Sequence, residues 1–196
     1  MKETKKQDIV RAALELFARK GFRGTTTRDL ATHAEVNEAI IFRYFNTKEE
    51  LYRAILEEKV SQSRDQPCAE LEELARSGDD RAFLEAVGQK FLEKHELDTT
   101  FMRLLLFSAL EGHELSEMFV GVLAARDPLA EYFARRMEQG AIQQMDPHLA
   151  ARLFIGMFVS FVQQQEIFGL NKSRTFDRNE VVRTFVSIFL TGIKQQ

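Results

Sequence analysis

The sequence predicts an all-α fold of about nine helices, and three observations carry that prediction. Cap residues precede apolar runs at helix-start spacing, as in Thr26-Thr27-Arg28-Asp29 and Thr47-Lys48-Glu49-Glu50. Apolar residues recur every three or four positions nearly to the end of the chain, without the alternation of a half-buried strand. The stretch Thr25 to Leu51, TTTRDLATHAEVNEAIIFRYFNTKEEL, is divided into short helices at the spacing of a helix-turn-helix. A three-helix headpiece is therefore expected over residues 1–50, and a larger helical domain over 51–196.

Each element has a local reason. Thr4-Lys5-Lys6-Gln7 reads as a capping box, so the first helix is expected to begin near Lys5. Ile9, Val10, Ala13, Leu14 and Phe17 share one face, and Gly21 supplies the left-handed residue that ends the helix, with Phe22 folding back as an apolar contact. The box at Thr26 opens a second helix of about two turns through Leu30, Ala31 and Ala34. Val36 closes a tight turn, and Asn37 caps a third helix through Ile41 to Phe45. The box at Thr47 starts a fourth helix with Leu51, Ile55 and Leu56. Helices this short are marginal alone, so they must share a core, for which Leu14, Phe17, Leu30, Val36, Ile41 and Phe45 are the candidates.

In a helix-turn-helix the third helix enters the major groove of DNA, while helix ends and cations hold phosphates. With Ile41 and Phe45 inward at i and i+4, the groove side is expected to carry Asn37, Glu38, Ala39, Ile40 and Arg43. Thr25, Thr27, Arg28, Tyr44 and Lys48 stand at helix ends or edges where phosphate contacts are natural. Taken singly, Arg28 and Lys48 are equally readable as ordinary solvated charges; within this frame they favour function.

The first helix, the Thr27-Arg28-Asp29-Leu30-Ala31 run, the ending Phe42-Arg43-Tyr44-Phe45 and the start Lys48-Glu49-Glu50-Leu51 resemble the headpiece of the TetR (tetracycline repressor) family of bacterial transcriptional regulators. The resemblance covers the first quarter of the chain. It implies a homodimeric repressor whose C-terminal domain binds a small molecule and releases operator DNA. It also implies the same phosphate-facing and groove-lining residues, with Phe42 added at a position where the family usually has Tyr. Phe42 lacks that hydroxyl and is left to meet a thymine methyl or pack inward. Glu35 stands where the family usually has Gly, and a left-handed backbone there costs a non-Gly residue about 1 kcal/mol. Glu38 repels phosphate unless it accepts from cytosine N4, and Ile40 offers only apolar contact.

Charge is distributed to match. Residues 1–53 hold eleven basic against eight acidic side chains, a balance of +3, and the rest hold sixteen against twenty-two, −6. A basic head on an acidic body is what a chain needs when only its head meets DNA. The run Leu153 to Val162 is far short of the roughly 18 apolar residues of a membrane span, and the N-terminus is charged rather than signal-like. The single cysteine, Cys68, excludes an intrachain disulfide and a cysteine-rich zinc site, in keeping with a reducing cytoplasm; an inert thiol outweighs a redox sensor, since no second cysteine stands by.

Beyond residue 53, Pro67 is expected to end the fourth helix and Gly78 to follow a short piece, Leu71 to Ala75. Helices are then expected over Arg81 to Leu97, after Asp98, from Pro128, from Asp146-Pro147 to about Phe168, and after the loop Asn171 to Asp177, built on Val181, Val182, Phe185, Ile188 and Phe189. Thirteen of the 17 Phe fall in this region. They either fill a helical core or line an apolar cavity between the middle helices, for which Phe83, Phe91, Phe101, Met102, Phe107, Phe119, Phe133, Met137, Phe154, Met157, Phe158 and Phe161 are the candidates. The ligand so implied is hydrophobic or aromatic, with Arg103, Glu111, His95, His113, Gln163 or Gln164 as polar anchors.

The helix from Pro147 is apolar nearly all round in its first half and must be covered on two sides. The family's dimer, a four-helix bundle of the last two helices, supplies the second cover, with Leu153, Gly156, Ser160, Phe185, Ile188 and Phe189 at the interface. A homodimer in turn matches a palindromic operator. No enzyme, metal or cofactor site is expected, because His33, His95, His113 and His148 are scattered and there is no phosphate loop. The alternative function is a helical protein-interaction adaptor without ligand response, which would not need the three-box headpiece.

Overall fold

A computed structural model describes residues 2–64, 69–112, 117 and 127–193. Among them are ten α-helices: α1 Lys2–Lys20, α2 Thr27–His33, α3 Glu38–Tyr44, α4 Lys48–Arg64, α5 Ala69–Ser77, α6 Asp80–Leu97, α7 Thr100–Leu110, α8 Pro128–Glu138, α9 Pro147–Val162 and α10 Arg178–Ile193. A π-helical turn, Gln163–Ile167, continues α9, and a short 3-10 turn follows at Leu170–Lys172. The helix end expected at Pro67, the thiol of Cys68, and His113 and Phe119 lie outside the described residues. The chain divides into two compact units, Met1–Gln66 with Thr100–Ala125, and Pro67–Thr99 with Arg126–Gln196.

The first unit is the headpiece with α4 and α7. α1 already includes Lys2, so Thr4 stands inside its first turn and not at its cap. Ile9, Ala13, Phe17, Leu30, Ile41, Phe45, Leu51, Tyr52, Ile55 and Leu104 are buried in one core, Leu14 joins them, and Val36 packs half-buried against it. Gly21 ends α1 at φ +73°, its N–H donating to the Phe17 carbonyl at 3.0 Å. Phe22 then folds inward, and Phe17, Phe22 and Tyr52 form a ring cluster with centroids 4.9 to 5.6 Å apart. Tyr52 donates to the Leu104 carbonyl at 3.3 Å, and burial pushes its phenol up to about 12.

The second unit packs α6 and α8 to α10 around Leu84, Leu92, Phe133, Phe154, Phe158, Val182 and Val186. Gly88 lets α6 approach closely, because a Cβ there would sit 2.6 Å from the Phe158 ring. Asp127 and Asp146 cap α8 and α9 as side-chain acceptors ahead of Pro128 and Pro147. Asp80, buried at the start of α6, accepts from the Tyr132 hydroxyl at 2.6 Å and from Arg136 at 2.7 and 3.2 Å. Arg136 also donates to the Gly78 carbonyl at 3.1 Å, so this buried group ties the α5–α6 turn to α8.

Candidate nucleic-acid interface

The interface begins with the box that opens α2. Thr26 accepts from the Asp29 N–H at 3.1 Å, and the Asp29 carboxylate accepts from the Thr26 N–H at 3.0 Å. Bonds from the Thr26 amide and hydroxyl, with Lys20 at 3.2 Å, hold the Asp29 carboxyl down to about 2. After α2 the chain reverses through Ala34 and Val36, whose N–H groups return to Leu30 and Ala31 at 2.9 Å. Glu35 lies between them at φ +54°, the left-handed conformation that glycine adopts without strain. Asn37 accepts from the Ile40 N–H at 2.9 Å and so starts α3.

α3 presents Glu38, Ala39, Phe42 and Arg43 to solvent and buries Ile41. Phe42 is turned outward, 47% exposed. Ile40, expected on the groove side, instead packs half-buried against the headpiece core, as does Tyr44. A seven-residue helix with Ile41 innermost needs an apolar arc wide enough to include the adjacent Ile40. Arg43 lies 5.2 Å above the Tyr44 ring.

The expected phosphate-facing set is divided. Arg28 is exposed and Thr27 half-buried at the start of α2. Thr25 does not face phosphate: it is 1% exposed and its hydroxyl donates to the Gly21 carbonyl at 2.8 Å. The unpaired carbonyls at the end of α1 require donors, and Thr25 supplies one. Lys48 donates to the Phe22 and Thr25 carbonyls at 2.7 and 2.9 Å and lies 4.1 Å over the Phe22 ring. Burial pushes its pKa below the ordinary lysine value, against the pull of Glu49 and Glu111. At the start of α4, Thr47 accepts from Glu50 N–H at 3.1 Å, while the Glu50 carboxylate takes the Asn46 N–H at 2.8 Å.

Glu111, expected as an anchor for a ligand, reaches the α1–α2 turn instead. Its carboxylate accepts from the N–H groups of Phe22 and Arg23 at 3.0 and 3.3 Å. No local pattern announces a partner so distant in the chain.

The expected ligand and dimer residues of the second unit fall into two groups. Phe133, Met137, Phe154 and Phe158 are buried, and Phe83 stacks on Tyr132 with centroids 4.0 Å apart. Phe91 is half-buried against His95, whose imidazole is pushed below its ordinary value by burial and by Lys94. Phe161 meets Phe176 and Phe185 edge-on. Phe189, expected at a dimer interface, is 4% exposed and belongs to the unit's own core, 5.1 Å from Phe154. Leu153 and Ile188 are exposed, Gly156 has open space above it, Ser160 is exposed and Phe185 half-buried. On α7 of the first unit, Met102 is buried and Phe101 and Phe107 half-buried. Among the described residues no helix is long and apolar enough to cross a membrane, and no group of three His, Cys, Asp or Glu could hold a metal.

Comparison with known proteins agrees with this geometry. Residues 9–55 match the family described as bacterial regulatory proteins, tetR family, and residues 82–192 match the AefR-like transcriptional repressor, C-terminal domain. The uncharacterized HTH-type transcriptional regulator YvkB of Bacillus subtilis is 44% identical over 61 residues, 31% of this chain and only 32% of YvkB. The HTH-type transcriptional regulator LuxR of Vibrio harveyi is 31% identical over 167 residues, 81% of this chain and 78% of its own. The crystal structure of the transcriptional regulator FadR from Bacillus subtilis in complex with stearoyl-CoA has the same fold, with a TM-score of 0.73 at 20% identity over 95% of this chain and 98% of that one.

Proposed function

Since the chain belongs to the TetR family of bacterial regulatory proteins, and is thereby a DNA-binding transcriptional regulator and not an enzyme, we propose that it acts in the cytoplasm as a homodimeric repressor. In this reading residues 1–50 of two subunits meet the half-sites of a palindromic operator, and a hydrophobic small molecule held by residues 51–196 releases them. The description of the matched C-terminal family supports repression.

One observation carries the dimer. Leu149, Leu153 and Ile188 are 65%, 58% and 64% exposed on α9 and α10, beside Gly156 and Gly192, where a side chain would meet open space. Large apolar side chains grouped on two helices next to open glycines fit a partner helix pair. Arg28, Thr27 and the remaining donor capacity of Lys48 serve the phosphates, and Asn37, Glu38, Ala39, Phe42 and Arg43 face the groove. The ligand reading rests on the phenylalanine-rich second unit, Phe83, Phe91, Phe133, Phe154, Phe158 and Phe161, and on the stearoyl-CoA bound by FadR. An acyl thioester is the first ligand class to try.

Sedimentation at micromolar concentration is expected to give a dimer; a monomer overturns that part. A duplex selected from a random pool is expected to be palindromic and to be released by stearoyl-CoA but not by free coenzyme A. Arg28→Ala is expected to weaken the complex with the dimer intact, and unchanged DNA binding would favour the adaptor reading.

A further inference from the structure

A cleft of about 450 Å3 opens in the second unit where α9 passes into the π-helical turn. It is bounded by Leu92 and Glu96 at the end of α6, by Phe161 and Gln165, and by Asp177 and Arg178 at the start of α10. Its size lies in the range of small-molecule sites. Phe161 and Phe176 form an aromatic side, their rings 5.9 Å apart and tilted edge-on. The charged side is acidic: Glu96, Glu166 and Asp177 stand against Arg178, which already donates to Glu96 at 2.9 and 2.6 Å.

Gln165 decides that this is a site rather than a surface groove. It is 8% exposed, lines the cleft, and its side-chain amide has no hydrogen-bond partner among the described residues. Its amide atoms are not among the buried unpaired ones and open onto the cleft, so a ligand that enters can take up hydrogen bonds that the described residues leave unmade. It sits in the π turn, closed by the Phe168 N–H donating to the Gln163 carbonyl at 2.9 Å, and π turns recur at functional sites.

We propose that this cleft binds an organic ammonium ion carrying a short aromatic or aliphatic tail, at a site that shares only Phe161 with the residues proposed for an acyl thioester. The ammonium donates to the Gln165 carbonyl oxygen under the field of the carboxylates, and the tail lies against Phe161, beside the Phe176 ring whose face already carries the Arg174 guanidinium at 4.7 Å.

Calorimetric titration of the full chain with 2-phenylethylammonium, 2-phenylethanol and phenylacetate tests the proposal. The ammonium is expected to bind about tenfold more tightly than the alcohol, and phenylacetate more weakly than either. Gln165→Leu removes the amide, and Asp177→Asn removes a charge while keeping an acceptor for the Glu180 N–H at the α10 cap. Each is expected to weaken ammonium binding about fivefold or more, with thermal melting confirming the fold. Phenylacetate binding as tightly as the ammonium overturns the proposal. So does unchanged affinity in Asp177→Asn, which settles the matter if Gln165→Leu does not fold, and so does the lack of any binding heat at millimolar ammonium.

Discussion

The carboxylate of Glu111 accepts the backbone N–H of Phe22 at 3.0 Å across 89 residues of chain, and its second oxygen accepts from Arg23. That second oxygen fills the space a Cβ on Gly21 would need. Glu111 thus holds the amides of the α1–α2 turn while Lys48 holds its carbonyls. Glu111→Ala leaves the partly buried Phe22 amide without this acceptor and is expected to lower unfolding free energy by about 1–3 kcal/mol. Urea denaturation measures the loss, and faster hydrogen exchange at Phe22 and Arg23 locates it.

Glu35 is the opposite case, a side chain where the backbone favours none. At φ +54° it is the one described non-glycine residue with positive φ. Glu35→Gly is expected to relieve about 1 kcal/mol of strain and raise the melting temperature. A lower melting temperature would show that the Glu35 side chain contributes more than the strain costs.

The buried group at Asp80 is expected to be far less tolerant. Asp80→Ala leaves Arg136 without its carboxylate and Tyr132 without its acceptor, a loss of about 3–5 kcal/mol. Tyr132→Phe removes one hydrogen bond and keeps the ring stack on Phe83, so its expected cost is about 1–2 kcal/mol. Parallel denaturation curves distinguish the two.

Stability is expected to fall at both ends of the pH scale through two identified groups. Asp29 is held down to about 2 in the folded chain, against roughly 4 unfolded. Its contribution is present above pH ~4 and lost as pH falls towards ~2, so the difference between wild type and Asp29→Asn should shrink over that window. Tyr52 is pushed up to about 12, against roughly 10 unfolded, so the fold favours the neutral phenol. That contribution is full below pH ~10 and lost as pH rises towards ~12, a loss that Tyr52→Phe should not show.

DNA affinity is expected to fall steeply with salt, because the headpiece contributes a balance of +3 while the remainder of each chain carries −6. Arg28→Ala should reduce the slope of log affinity against log salt by about 1 for each phosphate that is no longer neutralised. A titration insensitive to salt would count against phosphate-led binding.

The headpiece was legible in the sequence because its signals are local. The box at Thr26 and Asp29, the cap at Asn37, the left-handed Gly21 and the core residues from Leu14 to Phe45 all follow from side chains within four or so positions of the backbone they serve. The aromatic and apolar periodicity likewise determined an all-helical body. What only the tertiary structure decided is which of those residues are engaged elsewhere. Thr25 closes the end of α1, Ile40 and Phe189 pack inward, and Glu111 reaches a turn on the far side of the sequence. The cleft around Gln165 joins α6, α9 and α10, whose sequences do not refer to one another. Caps and periodicity are properties of one helix; burial and long-range hydrogen bonds exist only once helices meet, since desolvation is set by neighbours in space.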